Sequence, residues 1–533
     1  MAAAGAGSGE WTPERSVAGS ANPWLIVAMI SLPTFMEVLD TSIANVSLNH
    51  IAGGLSISTD QATWVLTSYL VANAIIIPIS GWLTNVIGRK RYFMLSIALF
   101  AIASFLCGIA PNLQFLIIAR VLQGIGGGGL APVEQSMLAD TFPPEKRGMA
   151  FATFAIVVVV GPVFGPTLGG FITDQASWHW IFLINVPVGI LALILVQIFV
   201  DEPEVIQQER RELFAKGISI DYIGFALVAV GLGLLEYTLD RGERLDWFSS
   251  STIVLTAVTA AVSLIAFVFW ELHHHDPVVN IRLLGYRNFA ISNVIMFSVG
   301  AIVFSTTQLI PQMLQQVLGY SATDAGMALT VGGFGTLLLV PVAGKLTDKV
   351  DIRFLLFPAL VLEAGALWYM TGLNAEISFW DASMARLFQS VGLPFLFVPV
   401  TTAAYIGLKP SQTGQASSIL NVFRNLGGTV GIAYSQTTLA TSMQIEQANL
   451  VYQLNPFNQN YNDWMARATS ALGSAGQSME ARLGVLYQIM QRQATMNAFL
   501  DTFSQMMILV LIVSPVALFL KTQKGAKAPP GAH

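Results

Sequence analysis

Fourteen stretches of about 20 mostly apolar residues run through this sequence, and they constrain its fold more than any other feature. A helix needs about 20 such residues to cross the hydrocarbon core of a lipid bilayer. Of the 533 residues, 54% are hydrophobic and only 11% are charged. Soluble domains carry about 25% charged residues. This shortage of charge excludes a cytosolic enzyme, a disordered protein and a nucleic-acid-binding protein, and it predicts an all-α polytopic membrane protein.

The predicted membrane spans cover residues 24–46, 62–83, 92–109, 113–131, 149–172, 181–200, 222–239, 252–270, 289–310, 322–343, 354–372, 382–406, 416–438 and 503–520. Strands of a membrane barrel would be shorter and would alternate in polarity, which these segments do not. The segment 441–500 before the last span is long and polar, with helical patterning around residues 479–495. It is either a solvated helical hairpin over the pore mouth or a docking surface for a partner.

The distribution of basic residues predicts the orientation of the chain. With the N-terminus in the cytoplasm, 18 of the 26 Lys and Arg residues fall in the tails and loops on that side, as the positive-inside rule requires. Residues 1–23 are rich in Ala, Gly and Ser and lack the basic stretch of a cleaved signal peptide. We therefore expect a disordered cytoplasmic tail at 1–23 and a second cytoplasmic tail at 521–533.

An internal repeat relates two parts of the chain. Residues 119–126 reappear as 385–392 at an offset of 266, and residues 81–85 match 344–348 at an offset of 263. The same order of matches maps further glycines onto glycines, namely Gly148, Gly161 and Gly165 onto Gly414, Gly427 and Gly431. Parallel six-span repeats are a transporter architecture with the substrate path between the two halves.

The repeat predicts a 6+2+6 arrangement of fourteen transmembrane helices. The N-terminal six-helix half covers 24–200, a linker region with two inserted helices covers 201–288, and the C-terminal six-helix half covers 289–520. The long outer loop 441–500 belongs to the second half.

Ionisable side chains inside spans are costly and are usually functional. Asp40 lies in the first span with Glu37 one turn before it, and carboxyl groups at i and i+3 share a helix face. Such a group can take up a proton on one side of the membrane and release it on the other. Arg120 in the fourth span is the expected counterpart that stabilises the deprotonated form. The alternatives are that Asp40 belongs to a satisfied buried pair or lies near the outer interface.

Other ionisable groups inside the spans are weaker candidates. The intramembrane acids are Glu134, Glu236 and Glu363. The repeat image of Asp40 falls near Thr306, so the acid chemistry of the two halves is asymmetric. Arg424 could act as Arg120 does, although the repeat image of Arg120 is Arg386.

Other kinds of chemistry find little support in the sequence. The single cysteine, Cys107, excludes an intrachain disulfide and a cysteine-based metal site. The glycine run 124–129 follows no strand and lies inside a span, so it is not a dinucleotide fingerprint. No Walker A sequence is present, and the His273–His275 run fits a solvated loop better than a metal site. We expect no cofactor, no metal and no enzymatic activity.

Several motifs resemble those of one transporter family. Residues 81–91 resemble the motif between spans two and three of the major facilitator superfamily, and residues 161–170 resemble the span-five motif of its drug:proton antiporters. Residues 39–46 resemble the first-span motif of the fourteen-helix branch. Segments 239–250 and 455–458 are similar to multidrug efflux members of that branch. The resemblance extends from about residue 35 to the last span.

The resemblance implies a major facilitator fold and a proton-coupled multidrug efflux transporter in the bacterial inner membrane. Its substrates would be hydrophobic or amphipathic toxic compounds. Related pumps work with a periplasmic adaptor (a membrane fusion protein) and an outer-membrane channel, which gives the 441–500 loop a docking role. The alternatives are an exporter of one endogenous metabolite, such as a fatty acid or a siderophore, and a transport-dead receptor or scaffold.

The resemblance also implies roles for individual residues. The loop that would latch the halves and gate the path contains Gly81, Asn85, Gly88 and Arg89. Asn85 stands where the family usually has Asp, whereas the second copy retains Asp348. The antiporter motif, interpreted as a hinge between the halves or alternatively as plain tight packing, contains Gly161, Pro162, Gly165, Pro166, Gly169 and Gly170. Guesses for the substrate lining in span nine are Phe304, Gln308 and Gln312.

Overall fold

The computed structural model describes residues 12–19, 21–215, 220–455, 457–472 and 478–521, and every regular element in these ranges is helical. The fourteen long helices are α1 (Pro23–Val46), α2 (Trp64–Ile87), α3 (Arg89–Gly108), α4 (Leu113–Thr141), α5 (Arg147–Gln175), α6 (Trp180–Phe199), α7 (Tyr222–Arg241), α8 (Ser251–His273), α9 (Arg287–Gln316), α10 (Ala322–Lys349), α11 (Arg353–Met370), α12 (Phe379–Ala404), α13 (Thr413–Gln453) and α14 (Met479–Val513). The expected all-helical polytopic fold is confirmed.

Thirteen helices of the described chain are long and apolar enough to cross a membrane. The expected thirteenth span is α13, which does not reach that apolarity. Its polar residues, among them Asn421, Arg424 and Asn425, face the other half of the molecule. Because α13 packs against α2, α4, α9 and α14, its polar face meets protein rather than lipid.

The two six-helix sets repeat the same helix packing. The contacts α1–α5, α2–α4, α3–α4 and α3–α6 recur as α9–α13, α10–α12, α11–α12 and α11–α14. The inserted helices α7 and α8 pack against each other, and α7 lies on α2. The first set joins the second mainly through α5–α10 and α2–α13. We call the two sets the halves and their contact surface the seam.

The two ends of the bundle carry different features. We call the end with the α2–α3 turn the motif side and the opposite end the loop side. Helix α1 begins at the motif side, and the short helix Gln459–Leu472 lies on the loop side. Gly88, in the α2–α3 turn, has a φ of 97°, which is the left-handed region that favours glycine.

The segment 441–500 is mostly helical, because α13 and α14 continue beyond the expected spans. Asn497 Nδ2 donates to Glu446 Oε2 at 2.8 Å, which joins the two extensions. Arg492 donates to the carbonyl oxygens of Val317 and Ala375 at 2.7 and 2.6 Å, which fixes α14 to the ends of α9 and α11. Helices α13 and α14 therefore extend beyond the predicted spans 416–438 and 503–520. Hydropathy stops at the membrane surface, whereas the helices do not.

The expectation of a disordered tail at 1–23 is wrong for residues 12–19. Pro13–Arg15 forms a short 3₁₀ helix, and the buried Arg15 pairs with Glu209 of the helix Glu204–Ala215. The Asp201 amide donates to the Val17 carbonyl at 2.9 Å. Residues 1–11, 20 and 522–533 lie outside the described residues.

Glycines that the repeat relates let helices approach closely in both halves. Gly161 and Gly165 of α5 face α1, while Gly427 and Gly431 of α13 face α9. A Cβ atom on Gly427 would lie 2.6 Å from the carbonyl carbon of Phe297. In lipid the hydrophobic effect does not drive helices together, so association depends on close van der Waals packing, which small residues at such crossings allow.

Replacing Gly427 with alanine is therefore expected to destabilise the protein by about 1–3 kcal/mol, because backbone atoms of α9 must move to admit the methyl group. The measurement is the free energy of unfolding of the purified protein in detergent. Gly365→Ala in α11 is the matched control, since a Cβ atom there meets nothing within 4 Å. Equal stability of the two variants would contradict the packing role of Gly427.

Candidate functional site

The Asp40 carboxyl group lies in a closed polar cluster inside the first half. Arg120 Nη1 donates to Asp40 Oδ2 at 2.6 Å, and Gln123 Nε2 and Asn185 Nδ2 donate to Asp40 Oδ1 at 3.0 and 2.6 Å. Arg120 also donates from Nε to the Val65 carbonyl at 3.0 Å. Asp40 is 2% exposed and Arg120 0%. The cluster thus joins α1, α4, α6 and α2.

All of the hydrogen-bond partners of Asp40 in this cluster are donors. A guanidinium group has no acceptor, and the two amide nitrogens only donate. Protonation would turn one carboxyl oxygen into a donor facing another donor, so the cluster suits the charged form. Of the interpretations open at the level of sequence, the geometry favours a buried ion pair, in which Asp40 is fully bonded while Arg120 Nη2 has no hydrogen-bond partner among the described residues.

The second half contains the repeat image of this cluster without its carboxylate. Gln389 Nε2 donates to Thr306 Oγ1 at 2.7 Å, and Arg386 Nη1 lies 3.3 Å from the same hydroxyl oxygen. Thr306 thus occupies the place of Asp40, as the repeat offset predicts. Glu363, on α11, lies near Arg386 and Gly392.

A second carboxyl group, that of Glu37, faces the seam. A cavity of about 10 Å³ there is lined by Glu37 and Asn73 of the first half and by Asn421, Arg424 and Asn425 of the second. A volume of about 10–15 Å³ holds one water molecule. The cavity therefore brings an acid of α1 and a cation of α13 together from opposite halves.

The main partner of Glu37 is a hydroxyl group. Tyr69 Oη lies 3.0 Å from Glu37 Oε1, and Asn73 Nδ2 lies 3.4 Å from it. A phenol both donates and accepts. Glu37 can therefore keep its hydrogen bond to Tyr69 in the charged and in the neutral form, which Asp40 cannot do with its donors.

Glu134 of α4 lies on the motif side of Glu37. Its carboxyl group accepts from the Ser31 hydroxyl of α1, and both residues are buried. Arg424 lies within electrostatic range of Glu37 and of Glu134. One guanidinium group of the second half thus faces two acids of the first.

At the motif side the halves are joined by an ion pair and its partner on α13. Arg89, the first residue of α3, pairs with Asp140 at the end of α4, and both side chains are buried. Thr413, the first residue of α13, accepts from Arg89 Nη2 at 2.9 Å and lies 3.1 Å from Asp140 Oδ1. Gln135 accepts from Asn421 Nδ2 at 2.6 Å deeper in the seam.

The two copies of the repeated loop make equivalent contacts across the seam. Asp348 Oδ1 accepts from the Gly148 amide at 2.9 Å. Asn85 and Gly414, which the repeat relates to Asp348 and Gly148, also face each other. A Cβ atom on Gly414 would lie 3.9 Å from Asn85 Oδ1. Gly81 permits a similar approach, with the Gln415 Cα atom 2.8 Å from its Cβ position. Of the expected gating residues, Gly81, Asn85 and Arg89 all lie at this contact.

The antiporter motif forms a continuous part of α5. Its Gly161, Gly165 and Gly169 face α1 of the same half, whereas Gly170 faces Thr323 of α10. Proline 166 has no amide to donate to the carbonyl of Pro162, and Ser42 Oγ donates to that carbonyl at 3.3 Å instead. The glycine face therefore packs tightly within one half, and the hinge role of the motif stays a prediction.

The residues guessed to line a substrate path lie along one face of α9. Phe304 packs against Gly428 of α13, and Gln312 accepts from Gln436 Nε2 at 2.9 Å. Gln308 lies between them and is partly exposed. In this conformation α13 covers that face at both ends.

Three features of the site were not found by sequence reasoning. Asn185 and Gln123 complete the Asp40 cluster, and Tyr69 binds Glu37. Gln123 belongs to the repeated segment 119–126, and its recurrence as Gln389 was the available signal. Asn185 and Tyr69 carry no comparable signal in a single sequence.

Comparison with known proteins shows which family model matches this chain and which proteins it resembles. The family model of the Major Facilitator Superfamily matches residues 30–432. The multidrug export protein EmrB of Haemophilus influenzae is 40% identical over 438 residues, covering 81% of this chain and 84% of that protein. The fatty acid resistance protein FarB of Neisseria gonorrhoeae is 36% identical over 504 residues, covering 94% and 97%. The crystal structure of the human organic anion transporter MFSD10 aligns with a TM-score of 0.56 at 13% identity, covering 94% of this chain and 100% of that one, which supports the fold alone.

Proposed function

Since this chain belongs to the major facilitator superfamily, we propose that it is a proton-coupled exporter of hydrophobic or amphipathic toxic compounds. Its likeness to a multidrug export protein over most of its length supports this substrate class. The observation that carries the proposal is the seam cavity, which is lined by Glu37 of one half and Arg424 of the other. When an acid and a cation lie on opposite sides of an interface, protonation of the acid weakens the attraction between the two sides. Proton binding can thereby favour separation of the two halves.

The coupling follows from the charge on Glu37. A charged Glu37 attracts Arg424 in a poorly solvated seam, where such attraction is strong, and this holds the halves together. A proton that binds Glu37 neutralises its charge and removes the attraction, so the two halves separate more easily. Substrate and proton would then occupy the seam alternately. One proton moving inward releases about 2.3 kcal/mol per 100 mV of membrane potential, which supplies the driving force.

We assign Asp40 and Arg120 a supporting role in this scheme. Their pair fixes α1 against α4 and α6, and it thereby positions Glu37 one turn away on α1. The earlier hypothesis, in which Asp40 carries the proton and Arg120 tunes it, requires a carboxyl group that changes its charge. The hydrogen-bond donors around Asp40 disfavour such a change, because a protonated carboxyl group would place one donor opposite another.

The motif side is proposed to face the cytoplasm, with both termini there and the protein in the bacterial inner membrane. The basic residues 89–91 at the start of α3 lie on this side, as the positive-inside rule expects. Arg89, Asp140 and Thr413 would then close the cytoplasmic end, and this contact must break before substrate enters from that end. Helix α5, which contacts α1 and α10 along its length, would carry the movement.

A periplasmic adaptor and an outer-membrane channel are proposed as partners. The loop side exposes apolar side chains, including Tyr452 near the end of α13 at 86% and Phe457 in the turn that follows α13 at 99%. Exposed apolar surface of this kind fits a protein contact. The adaptor would bind there and pass substrate to the channel.

The proposed function is tested in proteoliposomes that contain the purified chain. An imposed pH gradient is expected to drive transport of the lipophilic cation ethidium, and added ethidium is expected to release protons that a trapped pH dye reports. A protonophore should abolish the transport. Absence of both signals, with unchanged drug susceptibility of a deletion strain, would favour a transport-dead receptor or scaffold.

A second candidate function is export of a fatty acid or another endogenous metabolite. The 36% identity to a fatty acid resistance protein over 504 residues favours it. A deletion strain that becomes sensitive to long-chain fatty acids but not to ethidium would select this function.

A further inference from the structure

The inserted helix α7 bridges the two halves on the loop side. It packs against α2 of the first half and α13 of the second. A Cβ atom on Gly233 would lie 3.2 Å from the Ile75 side chain, so the glycine brings α7 close to α2. Trp247, just after α7, donates from Nε1 to Thr437 Oγ1 of α13 at 3.0 Å. The inserted pair is thus part of the seam rather than a spacer at its edge.

Two acidic residues of α7 contact the helices that α7 connects. Glu236 is 3% exposed, and its carboxyl oxygens lie 3.0 and 3.1 Å from Thr429 Oγ1 of α13. Asp240, one turn nearer the loop side and partly exposed, accepts from the Thr67 hydroxyl of α2. Arg241 next to it pairs with Asp60 at 3.1 Å.

The partner of Glu236 suits either protonation state. Thr429 Oγ1 lies 3.1 Å from the carbonyl oxygen of Asn425 as well as within reach of Glu236. A hydroxyl group has one proton to donate and can also accept. It donates to Glu236 when the carboxyl group is charged, and it donates to the carbonyl and accepts from Glu236 when the carboxyl group is neutral. The Thr429 hydroxyl therefore keeps one hydrogen bond to Glu236 in either state.

The same kind of partner recurs along the seam from one side to the other. Following α7 and α1 from the loop side, the pairs are Asp240 with Thr67, Glu236 with Thr429, Glu37 with Tyr69, and Glu134 with Ser31. Every one of these carboxyl groups contacts a hydroxyl group, whereas Asp40 contacts only donors. Asn425, which Thr429 contacts, lines the cavity of Glu37.

We infer that Glu236 on the inserted helix is the loop-side entry for protons that reach Glu37. The inference rests on the proposed function and adds α7 to it. A proton from the loop side binds Asp240 or Glu236, moves past Thr429 into the seam cavity and protonates Glu37. Asp240 on α7 acts electrostatically on Glu236. Arg424 on α13 and Asp40 on α1 act electrostatically on Glu37. Chains of intramembrane acids carry protons in other pumps and transporters.

The test compares two activities of the same proteoliposomes. Glu236→Gln is expected to lower ethidium-dependent proton flux by about tenfold or more, because a positioned proton-transfer group is lost. Exchange of labelled for unlabelled ethidium without a pH gradient should stay unchanged, since it needs no net proton transfer. Glu236→Asp should restore part of the flux. Glu243→Gln, an exposed position just beyond α7, is the matched control.

Each outcome decides between the inference and its failure. Proton flux within twofold of the unmodified protein, or equal loss of flux and exchange, would overturn the role of Glu236. If Glu236→Gln does not fold, Thr429→Val replaces it, and an unchanged flux in that variant would equally overturn the inference. If the unmodified protein shows no ethidium-dependent proton flux, the proposed function itself is wrong.

Discussion

Glu37→Gln is expected to abolish proton-coupled transport, with a loss of about 100-fold or more in ethidium-driven proton release. The amide has nearly the same shape as the acid and can keep a hydrogen bond to Tyr69, but it cannot bind and release a proton. It also removes the charge that faces Arg424 across the seam. The measurement is proton flux in proteoliposomes at equal protein content.

Two companions make this result specific. Glu376→Gln, at an exposed position on the loop side, is the matched control and should behave like the unmodified protein. Asp40→Asn is the rival, because the hypothesis based on Asp40 predicts the loss there instead. Full coupling in Glu37→Gln together with lost coupling in a well-folded Asp40→Asn would reverse the assignment.

Asp40→Ala is expected to destabilise the protein by about 3–5 kcal/mol, because it leaves the buried Arg120 without its counter-charge. Arg120 is fully buried, so water cannot replace the carboxylate. The measurement is the free energy of unfolding in detergent, obtained by denaturant titration.

The second half supplies the control for this prediction. Thr306→Ala removes the repeat image of Asp40 but only one neutral hydrogen-bonding group, and about 1 kcal/mol is expected. Removing both charges in Asp40→Ala/Arg120→Met should cost much less than the sum of the single changes. A purely additive double variant would show that the two side chains do not stabilise each other.

The repeat was the part of the structure that a single sequence predicted best. Gly427 and Thr306 stand where the offset of 266 places them, because a close helix crossing and a buried arginine each demand particular residues. The contact of Arg120 with Asp40 followed from the rarity of charges in spans, since each buried charge needs a partner.

The direction of each side chain could not be predicted in the same way. Glu37 and Asp40 were expected to share a face, yet one faces the seam and the other faces α4 and α6. The side chains at i and i+3 point in directions that differ by about 60° around the helix axis. Which neighbouring helix each of them faces depends on how the helices pack. Helical patterning was predicted at residues 479–495, but the sequence did not show that this helix is continuous with the last span, because polar helices outside the membrane leave no apolar signal.

The size of the seam cavity bears on how such a protein could tolerate many substrates. It has room for about one water molecule, whereas drug-sized ligands occupy sites of about 300–1,000 Å³. Under the proposed function, a substrate that enters the seam would have to separate α2 from α13, because the seam cavity of this conformation is not shaped to fit a drug-sized molecule. Selection among substrates would then depend on how much apolar area a substrate buries relative to the helix contacts it breaks, so hydrophobicity would matter more than shape.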